Sequence, residues 1–210
     1  LNVLLGSEIN LLNQVDQAVV GNTLVTRDFN NINNALNYVP FYEQLRRRLI
    51  GVYTNVELKY RNWATLTVTG RNDWSSTFRQ NNRSYFYPSF AGSVILTDAI
   101  PALRENQTIL SFAKLKGAWA RVGREAFLYA TDVYFQTTNP SDGWGTQIQY
   151  PFLGQQGRTL QNVTGNPNLG PEFTRSQEIG TELKFFQDRI GLDLTYFDQR
   201  STDIILSVPV

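Results

Sequence analysis

Two neighbouring stretches late in the sequence alternate between apolar and polar side chains. In 178–185, Ile179, Thr181, Leu183 and Phe185 fall on one face, with Glu178, Gly180, Glu182 and Lys184 on the other. In 190–200, Ile190, Leu192, Leu194 and Tyr196 oppose Gly191, Asp193, Thr195 and Gln199. A period of two gives each strand one oily face and one wet face. Only Phe186, Gln187, Asp188 and Arg189 lie between the stretches, so they predict a hairpin with a tight turn. Its strands are long for a soluble sheet, and this combination is the mark of a membrane β-barrel.

The same alternation predicts seven strands, at 1–8, 47–60, 63–74, 85–96, 112–123, 176–186 and 190–200. Ile50, Val52, Val56, Leu58 and Tyr60 oppose Gly51, Tyr53, Asn55, Glu57 and Lys59. Ala64, Leu66 and Val68 oppose Thr65, Thr67, Thr69 and Arg71, and Phe86, Phe90 and Val94 oppose Tyr87, Ser89 and Ser93. Pro88 would delete a ladder hydrogen bond, so it belongs near a strand's rim. Lys114 and Lys116 face water, which turns Leu115, Gly117 and Trp119 outward and leaves Arg121 on the lipid side, tolerable at the rim where its stem can snorkel. Asp198 has the same placement.

Long and short connections nearly alternate: 9–46 long, 61–62 tight, 75–84 and 97–111 intermediate, 124–175 very long and 187–189 tight. That parity suits an up-and-down barrel with short periplasmic turns and long external loops. Tyr60, Trp63, Phe185 and Phe186 flank the tight turns, while Tyr196, Tyr85 and Phe86 lie toward the other strand ends, as two aromatic girdles would. The fold class expected is all-β, part of a large antiparallel up-and-down transmembrane β-barrel. A soluble carbohydrate-binding β-sandwich is the alternative, with shorter strands whose oily faces pack on a second sheet.

Composition narrows the chemistry. The 210 residues contain no Cys and no His, which excludes disulfides, thiolate chemistry, Ser-His-Asp triads and the commonest zinc ligands within the segment. A net charge of +1 gives no reason to expect nucleic acid. There is no apolar run long enough for a transmembrane helix and no leader-like start, and both tests miss barrels. A start at Leu1 and a stop at Val210 just after a strand suggest part of a larger chain.

Five segments in order, Arg71-Asn-Asp-Trp-Ser-Ser-Thr77, Arg83-Ser-Tyr-Phe-Tyr-Pro-Ser-Phe90, Lys114-Leu-Lys-Gly-Ala-Trp-Ala-Arg-Val-Gly123, Asn166-Pro-Asn-Leu-Gly-Pro-Glu172 and Arg189-Ile-Gly-Leu-Asp-Leu-Thr-Tyr196, resemble the SusC/RagA-type TonB-dependent outer-membrane transporters of Bacteroidota. Gly170, where the family often has a larger or charged residue, and Arg124, where Asn is frequent, depart from the pattern. The resemblance implies about seven strands from the C-terminal half of a 22-stranded barrel. The plug domain, the TonB-contacting segment and the closing strand would lie outside the sequence. It further implies TonB-energised import of glycans or peptides with a SusD-like lipoprotein as lid. A TonB-dependent siderophore receptor, with the same fold and another cargo, is the alternative within this class.

Residues expected to face the lumen are Glu57, Arg71, Glu178, Glu182, Lys184 and Asp193. Paired carboxylates can signal a glycosidase, but a water-filled lumen explains them more simply, and no loop groups an acid with a base. No enzymatic role, cofactor or metal site is expected. Trp74, Tyr134, Trp144 and Tyr150 are candidates for contact with substrate or lid, since binding residues concentrate on loops and rims. The run Arg46-Arg47-Arg48 precedes a strand at the external rim, where outer-membrane lipid and lipopolysaccharide phosphates are the candidate anions.

Overall fold

The computed structural model describes residues 1–105, 107–138, 143–145, 148, 150–161 and 163–208. Its strands are β1 (Asn2–Leu24), β2 (Ala35–Tyr60), β3 (Ala64–Ser75), β4 (Ser84–Ile95), β5 (Leu110–Arg124), β6 (Phe135–Thr137), β7 (Arg158–Leu160), β8 (Glu172–Phe185) and β9 (Ile190–Thr202). Seven of them form one antiparallel sheet in the order β1-β2-β3-β4-β5-β8-β9, and β6 and β7 pair separately. Consecutive strands of the large sheet are neighbours, which is the up-and-down arrangement the connection lengths predict.

Register carries the alternation across the whole sheet. One row runs Leu58, Leu66, Gly92, Gly117, Ile179 and Tyr196, and the next runs Tyr60, Ala64, Val94, Leu115, Thr181 and Leu194. On the opposite face the rows are Glu57, Thr67, Ala91, Ala118, Glu178 and Phe197, then Lys59, Thr65, Ser93, Lys116, Gly180 and Thr195. Among the described residues no second sheet covers the oily face: Leu5 is 76% exposed, and Ile179 and Leu194 are each 56% exposed. A sandwich would bury these side chains, so the sandwich alternative fails. A barrel wall leaves them for lipid.

The turns 61–63 and 186–189 and the 96–109 link lie at one end of the sheet, with 25–34, 76–83 and 125–171 at the other. Tyr60 meets Trp63 edge-on with ring centroids 5.2 Å apart, and Phe185 lies 6.5 Å from Phe186, so the short-turn end has its aromatic girdle. The β8–β9 turn holds Phe186, Gln187 and Asp188 at φ of 53°, 58° and 65°, a left-handed run with no glycine to ease it. Ser111 Oγ compensates by accepting the Gln187 and Asp188 N–H groups at 2.7 and 3.3 Å. The 96–109 link carries two short helices, α1 (Leu96–Ala99) and α2 (Pro101–Glu105).

Three expectations need correction. The 9–46 connection is mostly strand: β1 and β2 pair continuously up to Leu24 opposite Ala35. The 23 residues of β1 run about 78 Å, or roughly 55 Å along the normal at a tilt of about 45°, against a lipid band of about 25 Å. The outer half of this hairpin stands in water on both faces, so nothing there enforces alternation, and Leu11-Leu12 and Val19-Val20 break the period. Second, the 124–175 connection contains the β6–β7 pair, whose strands of three residues are too short to show a period. Third, Tyr85 is no girdle residue, because it is 6% exposed and points inward.

Tyr85 is buried because the sheet splits. Pairing between β4 and β5 begins only at Ser89 opposite Ala120, so the external ends of the two strands separate. Phe78, Tyr85 and Ala126 fill the gap with Tyr87, Ala130, Leu169, Phe173 and Ile205 packed around them. Pro88 lies beyond the last β5 partner, where its missing N–H deletes no bond to that strand.

Candidate functional site

The inner wall carries a connected polar network toward its external end. Arg71 and Asp73 are both inward on β3, two residues apart. Arg71 Nε donates to Asp73 Oδ1 at 2.7 Å and Nη1 donates to Glu8 Oε2 of β1 at 3.1 Å. Tyr87 of β4 donates its hydroxyl to Asp73 Oδ2 at 2.5 Å, and the Arg71 guanidinium lies 5.9 Å from the Tyr53 ring centroid. Two glycines make room for these large groups. The Tyr53 ring occupies the space where a Cβ on Gly6 would stand, and a Cβ on Gly51 would meet Asp73 Oδ1 and the Arg71 guanidinium.

A second cluster bolts the long external loop to the wall. Glu125 follows directly on β5 and pairs with Arg47 of β2 through Oε1, while Oε2 accepts the Ser75 hydroxyl of β3 at 2.6 Å. Arg47 also donates to Asn10 Oδ1 of β1 at 2.9 Å, and Ser75 and Thr77 hydroxyls lie 2.8 Å apart. The Glu125 side chain is only 17% exposed, so its ion pair is screened less than a surface one. Further out, Arg79 of the 76–83 loop pairs with Asp132 of the long loop. The Arg79 guanidinium, with help from the Thr131 hydroxyl, holds the Asp132 carboxyl below the usual carboxylate range.

Under the long loop lies a cavity of about 760 Å³, lined among others by Tyr129, Tyr134, Gln161, Asn166, Phe173 and Asp203. Tyr134 stands edge-on to Tyr129 with centroids 6.4 Å apart, so this candidate contact residue does line a recess on the external side. Trp144 is 97% exposed on the same loop. Tyr150 packs its ring over Gly157 within the loop. The adjoining 139–142, part of the same candidate segment, lies outside the described residues.

Other sequence-selected residues divide by face. Glu57 pairs with Lys59 at 2.9 Å, Lys184 with Glu182 at 4.0 Å and Asp193 with Lys116 at 3.0 Å, all on the polar face with Glu178 and Arg71. Trp74 is not on that face. It shares the outward row with Ile50, because it follows Asp73 by one residue in an unbroken strand. The arginine run is likewise split: Arg47 turns inward to Glu125, while Arg46 and Arg48 stand on the outward side opposite Asn13 and Leu11. Three consecutive strand residues cannot form one patch.

The alternation places Tyr87 on the polar face without marking it as a site residue, and the sequence pattern singles out none of Asp73, Glu8 and Glu125. Asp73 and Tyr87 had a signal, since each continues the inward set of its strand. Glu125 had none, because its partners come from strands far away in sequence. The network can present fixed donors, acceptors and charges to a polar molecule in the lumen. A reaction is a poor fit, because the acids at its centre, Asp73, Glu8 and Glu125, are each held by a guanidinium.

A family model described as TonB dependent receptor-like, beta-barrel matches residues 2–210. TonB-dependent receptor P26 of Formosa agariphila is 28% identical over 192 residues, 89% of this chain and 18% of that protein. TonB-dependent receptor P3 of the same organism is 24% identical over 166 residues, 77% of this chain and 15% of that protein. The RagAB peptide transporter structure superposes with a TM-score of 0.74 over 99% of this chain and 22% of that one, at 18% identity. The RagAB peptide importer in its open-open state gives 0.72 at 18% identity, with coverage of 99% and 22%. The chain thus spans about a fifth of the length of the proteins it matches.

Proposed function

The chain belongs to the TonB-dependent receptor β-barrel family of the bacterial outer membrane, and from that premise we propose that it is barrel wall of a SusC/RagA-type nutrient importer. The observation that carries this reading is the segregation of faces, with apolar rows open on one side and paired charges on the other. The family transports and does not catalyse. In the mechanism proposed, the outward rows hold the wall in lipid, and the Arg71 network and Glu57, Glu178 and Asp193 line the water-filled passage beside the plug. TonB acts on the plug and supplies the energy. The external loops take part in capturing a glycan or peptide and in contact with a SusD-like lipoprotein.

The 125–171 connection is the part of this chain best placed for capture, since it is anchored at its base by Glu125 and carries Tyr134 and Trp144 above the wall. Excising about residues 139–152 from the intact transporter should leave the barrel assembled, because long surface loops tolerate shortening. Uptake of the cargo and co-purification of the lipoprotein should fall. Unchanged uptake together with unchanged co-purification would remove the loop from the mechanism.

A further inference from the structure

Near its external edge, one outward row inside Gly123, Phe173 and Thr202, the outward face carries a row of three arginines. Arg121 of β5 stands opposite Arg175 of β8, which stands opposite Arg200 of β9. Like charges directly across a ladder repel one another, so a row of three is costly unless something anionic meets it. We infer that this row is a binding site for the phosphate groups of a lipid in the external leaflet, of the lipid A type. The inference rests on the outer-membrane reading of the faces.

Position is the first argument. Arg200 stands ten residues along β9 from Ile190 at the short-turn end, which is about 34 Å of strand or roughly 24 Å along the normal at a tilt of about 45°. The lipid band of such barrels is about 25 Å tall, so the row sits where hydrocarbon gives way to headgroups. Beneath it comes a rim row of Trp119, Gln177 and Asp198, and then the apolar membrane face begins with Gly117, Ile179 and Tyr196. Trp119 packs against Phe90 at 5.8 Å and Tyr196 is 71% exposed, so aromatic side chains stand just below the cations.

Preorganisation is the second. Arg121 stands over the Phe173 ring with its guanidinium carbon 3.6 Å from the centroid, the Arg175 guanidinium abuts the Gln177 side-chain amide, whose oxygen accepts from it once the amide is turned, and Arg200 pairs with Asp198 at 3.3 Å. Among the described residues, Asp198 is the one carboxylate in an ion pair with the row. Among the described residues neither Arg121 nor Arg175 has a carboxylate within salt-bridge distance. Planar guanidiniums held this way keep free N–H donors suited to a phosphate's oxygens, which lysines on loose stems would not offer. The arginine run at 46–48, with its middle member turned inward, lacks this geometry.

The test uses the intact transporter in detergent micelles. Native mass spectrometry would follow retention of bisphosphorylated lipid A, of the same lipid A with its phosphates removed, and of the first in the presence of inorganic phosphate. A basic side chain near an anionic surface contributes about 1 kcal/mol, so R175Q and R200Q should each weaken retention roughly fivefold and R121Q/R175Q/R200Q far more. R27Q, at the tip of the β1–β2 hairpin, should leave it unchanged. Removal of the lipid's phosphates should mimic the triple variant, and free phosphate should not compete.

Equal retention of both lipid A forms, or no loss in R200Q, overturns the site, and competition by free phosphate assigns it to a soluble anion. If the triple variant fails to assemble, the single variants still decide. A cysteine at Leu194 separates this failure from that of the underlying reading. Were Leu194 out of reach of lipid-phase quenchers, the face assignment would fall and the site with it. Were Leu194 reached while retention stayed phosphate-independent, the site alone would fall.

Discussion

Leu194 and Thr195 are adjacent in β9 and should respond oppositely to the same substitution. Leu194 shares its row with Leu115 and Thr181 on the outward face and is 56% exposed. It stands four residues from Ile190 and six from Arg200, roughly 10 Å and 14 Å along the normal, which is close to the middle of the lipid band. An arginine at that depth costs about 2–4 kcal/mol. Thr195 faces the lumen opposite Gly180, beside the pair formed by Lys116 and Asp193. Thr195→Arg would project into water near an existing carboxylate, with an effect of about 0–1 kcal/mol. Denaturant titration of the intact barrel in liposomes, read by heat-modifiable gel mobility, should therefore separate the two variants by at least about 1 kcal/mol. Leu194→Phe should be nearly neutral, which separates charge from size. Cysteines at Leu183, Leu192 and Leu194 should react poorly with aqueous reagents and be quenched from the lipid phase, with Asp193 and Thr195 positions behaving in reverse. Equal cost for the two arginines, or a larger one at Thr195, would mean that the faces have been assigned the wrong way round.

Glu125→Gln should loosen the base of the long loop by about 1–3 kcal/mol, since it removes a charge that Arg47 and Ser75 both address. Hydrogen exchange at the amides following residue 125 should quicken while that of β5 does not, and unchanged exchange would show that the bolt is dispensable. The Arg79–Asp132 contact should depend on pH in one direction. The Asp132 carboxyl titrates below its ordinary value in the folded loop, so the contact's contribution is present above that ordinary value and is lost as pH falls through the lower one. Limited proteolysis of the 125–171 loop should then be the same at neutral and mildly acidic pH and rise only below the usual carboxylate range. A rise that begins in the histidine range would point to another group.

What the sequence revealed and what it hid follow from where an environment differs between the two faces of a strand. Along β3, β8 and β9 lipid lies on one side and water on the other. Each residue is therefore selected by its face, and Leu66, Ile179 and Leu194 could be assigned from period alone. The projecting part of β1 and β2 has water on both sides. There Leu12, on the same face as Glu8 and Asp16, carries no sign of its orientation, and the strand has no period to distinguish it from a loop. Tyr85 misled for a related reason. It keeps the inward parity of Tyr87, but the separation of β4 from β5 that buries it depends on contacts with Phe78, Ala126 and Phe173, which no local pattern records. The same limit governs charge. Arg71 and Asp73 are two apart on one strand and could be seen as a pair, whereas Arg121, Arg175 and Arg200 become one feature only when register aligns three strands across 79 residues of sequence, from position 121 to position 200. A charge that looks tolerable singly at a rim acquires a different meaning when two more stand beside it, and that meaning is set by pairing rather than by any one strand.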